Sequence, residues 1–252
     1  MFRTVLFLAV LATPLVAQVN TGTTSSGLYY EINGSGPPVV LIHAFSVDRR
    51  MWDDQVAALQ DQFRVIRCDL RGHGKSAPPS GPYTGYGVLL AVLDELGIAR
   101  ASLVGLSAGS ELAINFAIAH PDRVDRLVLA APGLGGYAVP PLDWFGPVGE
   151  ALGAGNVQLA AERWAATPIM ALKTNLAAGD RVRAMVVDNA ALWTYQRTEQ
   201  PLAPPAIGRL AEIRAPTLVV VGTEDLPHIL DVGRLLVKGI GGAAMLEFLR
   251  RR

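Results

Sequence analysis

The chain has 252 residues, of which 50% are apolar, and its 22 basic side chains balance its 22 acidic ones. This composition predicts one globular domain with a full hydrophobic core, and it gives no support for nucleic acid or an anionic membrane surface as a partner. The sequence contains one cysteine, Cys68. A lone cysteine excludes an intramolecular disulfide and a zinc site built from several thiols.

Residues 1–17 form a unit of their own. Arg3 precedes an apolar run from Val5 to Ala12, and Pro14 and the ending Leu15-Val16-Ala17 follow it. This pattern is typical of a secretory signal peptide, and the apolar run is too short to span a bilayer. We expect cleavage near Ala17 and a secreted or periplasmic mature chain without a membrane span; a retained lipid-facing anchor is the alternative.

Five short apolar runs, rich in Val, Leu and Ile, alternate with helical patterns in the following part of the chain. The runs lie at 37–43, 63–70, 101–107, 125–132 and 215–223, and the helical patterns at 51–60, 88–96 and 110–120. Runs of this kind fit strands that are buried on both faces of a parallel sheet. The alternation therefore predicts an α/β fold with a doubly wound, mostly parallel sheet and flanking helices.

The third run leads into the turn Gly105-Leu106-Ser107-Ala108-Gly109. A tight turn from strand to helix needs small flanking residues and exposes the serine at the carboxyl end of the sheet. The helix that follows directs its amino-terminal dipole and the Ala108 N–H at an oxyanion formed there. Ser107 is thus a candidate nucleophile, although the pentapeptide alone also fits a turn without function.

Residues 135–205 break the alternation, since they contain three tryptophans and several Pro and Gly but no clear strand. We expect a helical cap insertion here, between a first core part at 18–134 and a second at 206–252. In the second part, the pattern predicts a helix over Ile229 to Lys238, a glycine-rich terminator and a closing helix over Met245 to Arg252.

Four motifs in this order resemble the α/β-hydrolase family. They are His43-Ala44-Phe45, Asp69-Leu70-Arg71-Gly72-His73-Gly74-Lys75-Ser76, the turn at Ser107, and Val221-Gly222-Thr223-Glu224-Asp225. The resemblance covers about 28–134 and 205–230. It implies a serine nucleophile at Ser107, an oxyanion hole made by the N–H groups of Phe45 and Ala108, and Asp225 as the acid that orients a histidine.

Two features depart from the family pattern. Ala44 stands where the family usually has glycine, which costs about 1 kcal/mol if that position has a positive φ. The family also places its catalytic histidine on a loop after one further strand, and the sequence predicts neither, so the last strand region reads as truncated. Among the four histidines, His43 and His73 resemble structural residues of the family.

His228 is the candidate base because it follows Asp225 by three residues. The alternative is a turn histidine that caps the helix beginning near Ile229. We therefore expect a secreted, esterase-like serine hydrolase that cleaves a small carboxylic ester or related acyl substrate. The alternative is a catalytically impaired protein of the same fold, a binding protein or a deletion variant with an incomplete triad; neither reading implies a metal or an organic cofactor.

Overall fold

Eight strands form one sheet in the computed structural model, which describes residues 20–172, 175–196 and 198–248. The strands are β1 (Asn20–Thr23), β2 (Tyr29–Asn33), β3 (Pro38–Ile42), β4 (Arg64–Cys68), β5 (Ala101–Leu106), β6 (Val124–Ala130), β7 (Thr217–Gly222) and β8 (Ala244–Phe248). Their order in the sheet is β1-β2-β4-β3-β5-β6-β7-β8. All pairs from β4 to β8 are parallel, so the predicted α/β architecture is confirmed.

Seven α-helices accompany this sheet in the described part of the chain. They are α1 (Asp53–Leu59), α2 (Gly85–Glu95), α3 (Ala108–Ala119), α4 (Gly146–Gly153), α5 (Val157–Ala165), α6 (Leu176–Asp188) and α7 (Pro227–Gly239). Alternate side chains of β3 serve two separate cores. Val40 and Ile42 pack in the cluster that contains residues of α2, α3 and α7, whereas Val39 and Leu41 pack with Trp52 and with α1. This division explains why β3 is an unbroken apolar run.

The antiparallel strands β1 and β2 were not predicted, because neither forms an apolar run. β2 pairs with β4 in a register that places Glu31 opposite Arg67. The Glu31 carboxylate accepts hydrogen bonds from Arg49 at 2.6 Å and from Arg67 at 2.7 Å. This edge of the sheet is therefore stabilised by charge-assisted hydrogen bonds that a hydrophobic pattern does not reveal.

The predicted closing helix over Met245 to Arg252 is wrong for its described residues, which extend to Phe248. Ala244–Phe248 form β8, which lies parallel to β7 with Val219 opposite Met245. The strand that seemed to be missing is therefore in place, and the last strand region of the described sheet is not truncated. Ala, Met, Leu and Glu favour helices intrinsically, but pairing with a buried strand outweighs that preference here.

Helices α4, α5 and α6 all lie between β6 and β7, within the segment predicted as a cap. Asn189, directly after α6, connects this segment to the core: its Nδ2 donates to Asp48 at 3.0 Å, and its Oδ1 accepts from the Gly74 N–H at 2.7 Å. The predicted signal peptide at 1–17 lies outside the described residues. So do Leu249 and Arg250 to Arg252.

Candidate active site

Ser107 lies between β5 and α3 in a strained backbone conformation. Its φ is +55° and its ψ is −113°, a region that residues with a side chain rarely adopt. Hydrogen bonds fix the turn: the Ser107 N–H donates to Ala130 O at 3.0 Å, and its carbonyl accepts from the N–H groups of Ser110 and Glu111 at 2.9 and 3.1 Å. Ser107 is partly exposed, and its hydroxyl makes no hydrogen bond to a described residue.

The two glycines that flank Ser107 have no room for a side chain. A Cβ on Gly105 would lie far inside van der Waals contact with the backbone of Gly109, and a Cβ on Gly109 would overlap the carbonyl of Ile42 at the end of β3. Both glycines are therefore needed because α3 starts directly against β3 and β5. This close approach holds Ser107 at the carboxyl end of the sheet.

The loop after β3 lies beside this turn. Within it, Ser46, rather than Ala44, has a positive φ of +67°. The expected cost of replacing glycine by alanine at position 44 therefore does not arise. Ala44 is buried against small cap residues such as Ala161 and Ala165, and Ser46 accepts a hydrogen bond from Trp164 Nε1 at 2.7 Å.

The N–H groups of Phe45 and Ala108 both lack an acceptor in the described part of the chain. Ala108 is the first residue of α3, whose opening N–H groups have no partner within the helix. Both residues line a cavity of about 720 Å³ and a smaller adjoining one of about 130 Å³. The two predicted oxyanion donors thus belong to residues that line the same cavities, and Ala108 follows Ser107 directly in the chain.

Aromatic side chains from the segment predicted as a cap, among them Phe145 and Trp193, line the larger cavity, and Trp164 packs behind them. The Phe45 ring packs edge-on against Trp193, with ring centres 5.5 Å apart, and against Trp164 at 6.2 Å. Trp164 and Trp193 are 6.0 Å apart. This cluster of rings is apolar, and it connects the cap to the loop that carries Phe45.

Asp225 and His228 lie after β7, in the turn and at the start of α7. Oδ2 of Asp225 accepts the Gly222 N–H at 2.7 Å, so this carboxylate closes its own turn. His228 is half-buried in the first turn of α7. Among the described residues, no hydrogen bond connects any two of the side chains of Ser107, Asp225 and His228. Their roles stay predictions.

The other histidines have identifiable surroundings. His43 is fully buried; its Nδ1 lies 2.8 Å from Ala44 O, and its Nε2 accepts the Leu70 N–H at 2.9 Å. Burial lowers the pKa of His43 to about 4, so the ring is neutral and braces the loop. His120 ends α3, and burial lowers its pKa as well.

His73 differs because one of its nitrogens has no partner. Its Nδ1 lies 2.9 Å from Arg71 O, while its buried Nε2 contacts no donor or acceptor among the described residues. Burial, with the neighbouring His43, lowers the pKa of His73 to about 3. Sequence reasoning assigned His73 to its turn and missed that it also lines both cavities.

Two acidic residues line the larger cavity and were not predicted. Glu111 lies one helical turn after Ser107 on α3, and Glu199 comes from the end of the cap segment. Burial raises the pKa of both carboxyls, and the charge of Glu199 raises that of Glu111 further. Perturbed acids in a cleft are typical of functional sites, but 88 residues of sequence separate this pair, and no motif connects them.

No metal centre is evident in the described ranges, where no three His, Cys, Asp or Glu side chains cluster as ligands would. Within the same ranges, no helix has the length and apolar character needed to cross a membrane.

Residues 37–238 match the family model described as alpha/beta hydrolase fold. The chain belongs to the α/β-hydrolase family. The match extends from β3 to α7 and therefore contains the serine turn, the loop at Phe45 and the turn at Asp225.

Similar proteins include named hydrolases. The chain is 32% identical over 264 residues to a 2-hydroxy-6-oxononadienedioate/2-hydroxy-6-oxononatrienedioate hydrolase of Paraburkholderia phymatum, covering 95% of this chain and 88% of that protein. The crystal structure of the enol-lactonase from Burkholderia xenovorans LB400 superposes with a TM-score of 0.73 at 29% identity, covering 91% of each chain. An uncharacterized protein of Mycobacterium tuberculosis is 40% identical over 110 residues, but only 31% of its length is covered.

Proposed function

We propose that this α/β hydrolase is a secreted serine hydrolase that cleaves a small carboxylic ester or a related acyl compound. The observation that carries the proposal is the strained Ser107, held at φ +55° beside a pocket lined by Phe45 and Ala108. Both donor N–H groups are free to bind an oxyanion, which is the interaction that stabilises the transition state of acyl transfer most strongly. The names of the hydroxy-oxononadienedioate hydrolase and the enol-lactonase agree with hydrolysis of a small carbonyl compound.

In this proposal, Ser107 Oγ attacks the substrate carbonyl and the N–H groups of Phe45 and Ala108 bind the resulting oxyanion. His228 accepts the serine proton and returns it to the leaving alcohol, and Asp225 orients the imidazole. Water then hydrolyses the acyl-enzyme with the same base. The base has to come within about 2.6–3.2 Å of Ser107 Oγ in the productive complex.

The test is the rate of p-nitrophenyl acetate cleavage by the full chain and three variants. Ser107→Ala should lose on the order of a millionfold in kcat, since the nucleophile is gone. His228→Gln should lose nearly as much if His228 is the base, while Asp231→Asn, an exposed change on α7, should keep the wild-type rate. Wild-type turnover in the Ser107→Ala variant would overturn the proposal.

A catalytically impaired protein is the second candidate, because no imidazole is hydrogen-bonded to Ser107 among the described residues. It predicts slow cleavage of activated aryl esters, almost none of alkyl esters, and a rate within a few-fold of wild type after His228→Gln. Rapid cleavage of an alkyl ester that depends on Ser107 would exclude it.

Export is proposed from the sequence alone. The mature chain should begin near Gln18 when the full-length gene product is recovered from the periplasm or the medium. Intact-mass measurement decides this, and a chain that retains Met1 in those fractions would contradict export.

A further inference from the structure

The larger cavity contains two carboxyl groups with no cationic partner among the described residues. Glu111 forms no ion pair and no side-chain hydrogen bond there. Glu199 is contacted by neutral donors, the Tyr83 hydroxyl at 3.5 Å from Oε2 and the N–H of Gly85. Glu111 is half-buried and Glu199 is more exposed, and the charge of Glu199 acts on Glu111, so the two carboxylates repel each other across the cavity. No cation offsets this repulsion among the described residues, and the pair borders a space large enough for a small molecule.

His73 gives independent evidence that this space takes a ligand. Its side chain is buried, with 7% of the residue exposed, it lines both cavities, and its Nε2 has no partner. When Nδ1–H donates to Arg71 O, Nε2 is a hydrogen-bond acceptor. The Oδ1 of Asn115, which also lines the larger cavity, is a second buried acceptor without a donor. A buried acceptor left without a donor is destabilising.

Arg71 is the cation that lines these cavities among the described residues, and it is directed elsewhere. Its guanidinium lies 5.3 Å from the centre of the Tyr83 ring and donates to Ser26 O at 3.0 Å. It forms no ion pair with Glu111 or Glu199. Its Nε is buried without an acceptor, so binding of an anion at Arg71 is the competing reading that the experiment has to exclude.

We propose that the cavity beside Ser107 binds a substrate that carries a primary ammonium group, held between Glu111 and Glu199. This inference rests on the proposed function and names its substrate class: a short ester or lactone with an amine a few bonds from the reacting carbonyl. An ammonium has three donors, which match two carboxylates and a further acceptor. A dianionic substrate, such as the dioate in the name of the Paraburkholderia hydrolase, would be repelled by this pair.

Binding is measured first, because it does not need turnover. Calorimetric titration compares n-butylammonium, 1-butanol and butyrate as probes for the full chain at pH 7.5. We expect n-butylammonium to bind at least tenfold more tightly than 1-butanol, and butyrate not to bind. Glu111→Gln and Glu199→Gln should each weaken ammonium binding at least tenfold, whereas the exposed control Glu150→Gln should leave it unchanged.

Three binding results would count against the ammonium site. Equal binding of n-butylammonium and 1-butanol, or ammonium binding that survives in a folded Glu111→Gln, Glu199→Gln double variant, would refute the ammonium site. Butyrate binding that is lost in Arg71→Gln would establish the anion site instead. The unfolding temperature of each variant shows whether it folds. If the double variant does not fold, the single variants Glu111→Gln and Glu199→Gln provide the test.

Measurements of ester turnover then test the ammonium preference separately from the proposed hydrolase activity. p-Nitrophenyl 3-aminopropanoate and p-nitrophenyl butanoate have nearly the same shape and differ in charge, and the amino ester cannot release p-nitrophenolate by closing to an unstrained lactam. We expect at least a tenfold higher kcat/KM for the amino ester in wild type, falling to parity in Glu199→Gln. Cleavage of both esters at equal rates would refute the ammonium preference alone, while ammonium binding without ester cleavage would refute the hydrolase proposal alone.

Discussion

Gly109 in the serine turn has no room for a side chain, because a Cβ there would overlap the Ile42 carbonyl. Gly109→Ala should therefore lower the free energy of unfolding by about 2 kcal/mol or more, since neither backbone segment can move away easily. Chemical denaturation measures the change. Gly149→Ala is the matched control: it lies in α4 with open space around its Cα, so it should be neutral or stabilising. Equal effects of the two substitutions would contradict the close packing.

The residues of the serine turn could be predicted because their requirements are local. Gly105, Ser107 and Gly109 lie within five positions, and a strand-to-helix turn demands small residues at both flanks. Ser46 shows the limit of such reasoning. Its positive φ accompanies a hydrogen bond from Trp164, a residue 118 positions away, and nothing near Ser46 in the sequence indicates this partner.

Among the elements, α5 has the clearest connection to the candidate oxyanion loop. Trp164 on α5 donates to Ser46, which follows Phe45 directly. Trp164→Phe keeps an aromatic ring, although a smaller one, and removes the donor, so the Phe45 N–H should be held less well. We expect kcat for p-nitrophenyl acetate to fall about fivefold to tenfold, at nearly constant KM, from the loss of about 1 kcal/mol of positioning.

Trp144→Phe is the control for that substitution. Its ring packs at a tilt against that of Trp164, with ring centres 5.7 Å apart, and its indole makes no hydrogen bond to a described residue. The rate should stay within twofold of wild type. Equal losses in the two variants would mean that ring shape, rather than the hydrogen bond, positions the loop.

Strand β8 exposes apolar side chains at the edge of the described sheet. Leu246 and Phe248 lie on the same face and are 44% and 59% exposed. Exposed edge strands of this kind promote association. Leu246→Lys should lower the self-association of the purified chain, measured by light scattering, whereas Leu176→Lys at an exposed site on α6 should not. A wild-type chain that stays monomeric at high concentration would refute this prediction.

β8 also shows why the sequence misled at this end. The residues from Ala244 onward are good helix formers, and the strand has no apolar run because most of its side chains are exposed. These residues form a strand because they pair in parallel with β7, and the whole of α7 lies between the two strands in the sequence. The strands β3 to β7 were easier to predict, since each contains a short run of Val, Leu or Ile residues close to turn residues.

The contact between the predicted cap segment and the core predicts that the stability of the fold is sensitive to acid. Burial would raise the pKa of Asp48, but hydrogen bonds from Arg50 and Asn189 outweigh it and hold the pKa at about 2. A carboxyl with a lowered pKa stabilises the fold above its unfolded value of 3.8 and loses that contribution as the pH falls toward 2.

Between pH 5 and pH 2, wild type should therefore lose about 2 kcal/mol more unfolding free energy than Asp48→Asn. Urea denaturation at a series of pH values measures the difference. Asp188→Asn, which changes the exposed partner of Arg50, should follow the wild-type curve. Parallel curves for wild type and Asp48→Asn would contradict this account of the cap contact.

The proposed hydrolase function depends on whether Ser107 is an activated nucleophile. The most direct measurement is peptide mapping by mass spectrometry after exposure of the full chain to an alkyl fluorophosphonate, which forms a covalent bond with an activated serine. We expect one phosphonyl group per chain, located on Ser107, and none on the Ser107→Ala variant. A chain whose Ser107 stays unlabelled after prolonged exposure, or one labelled at a different serine, would contradict the role of Ser107 as the nucleophile.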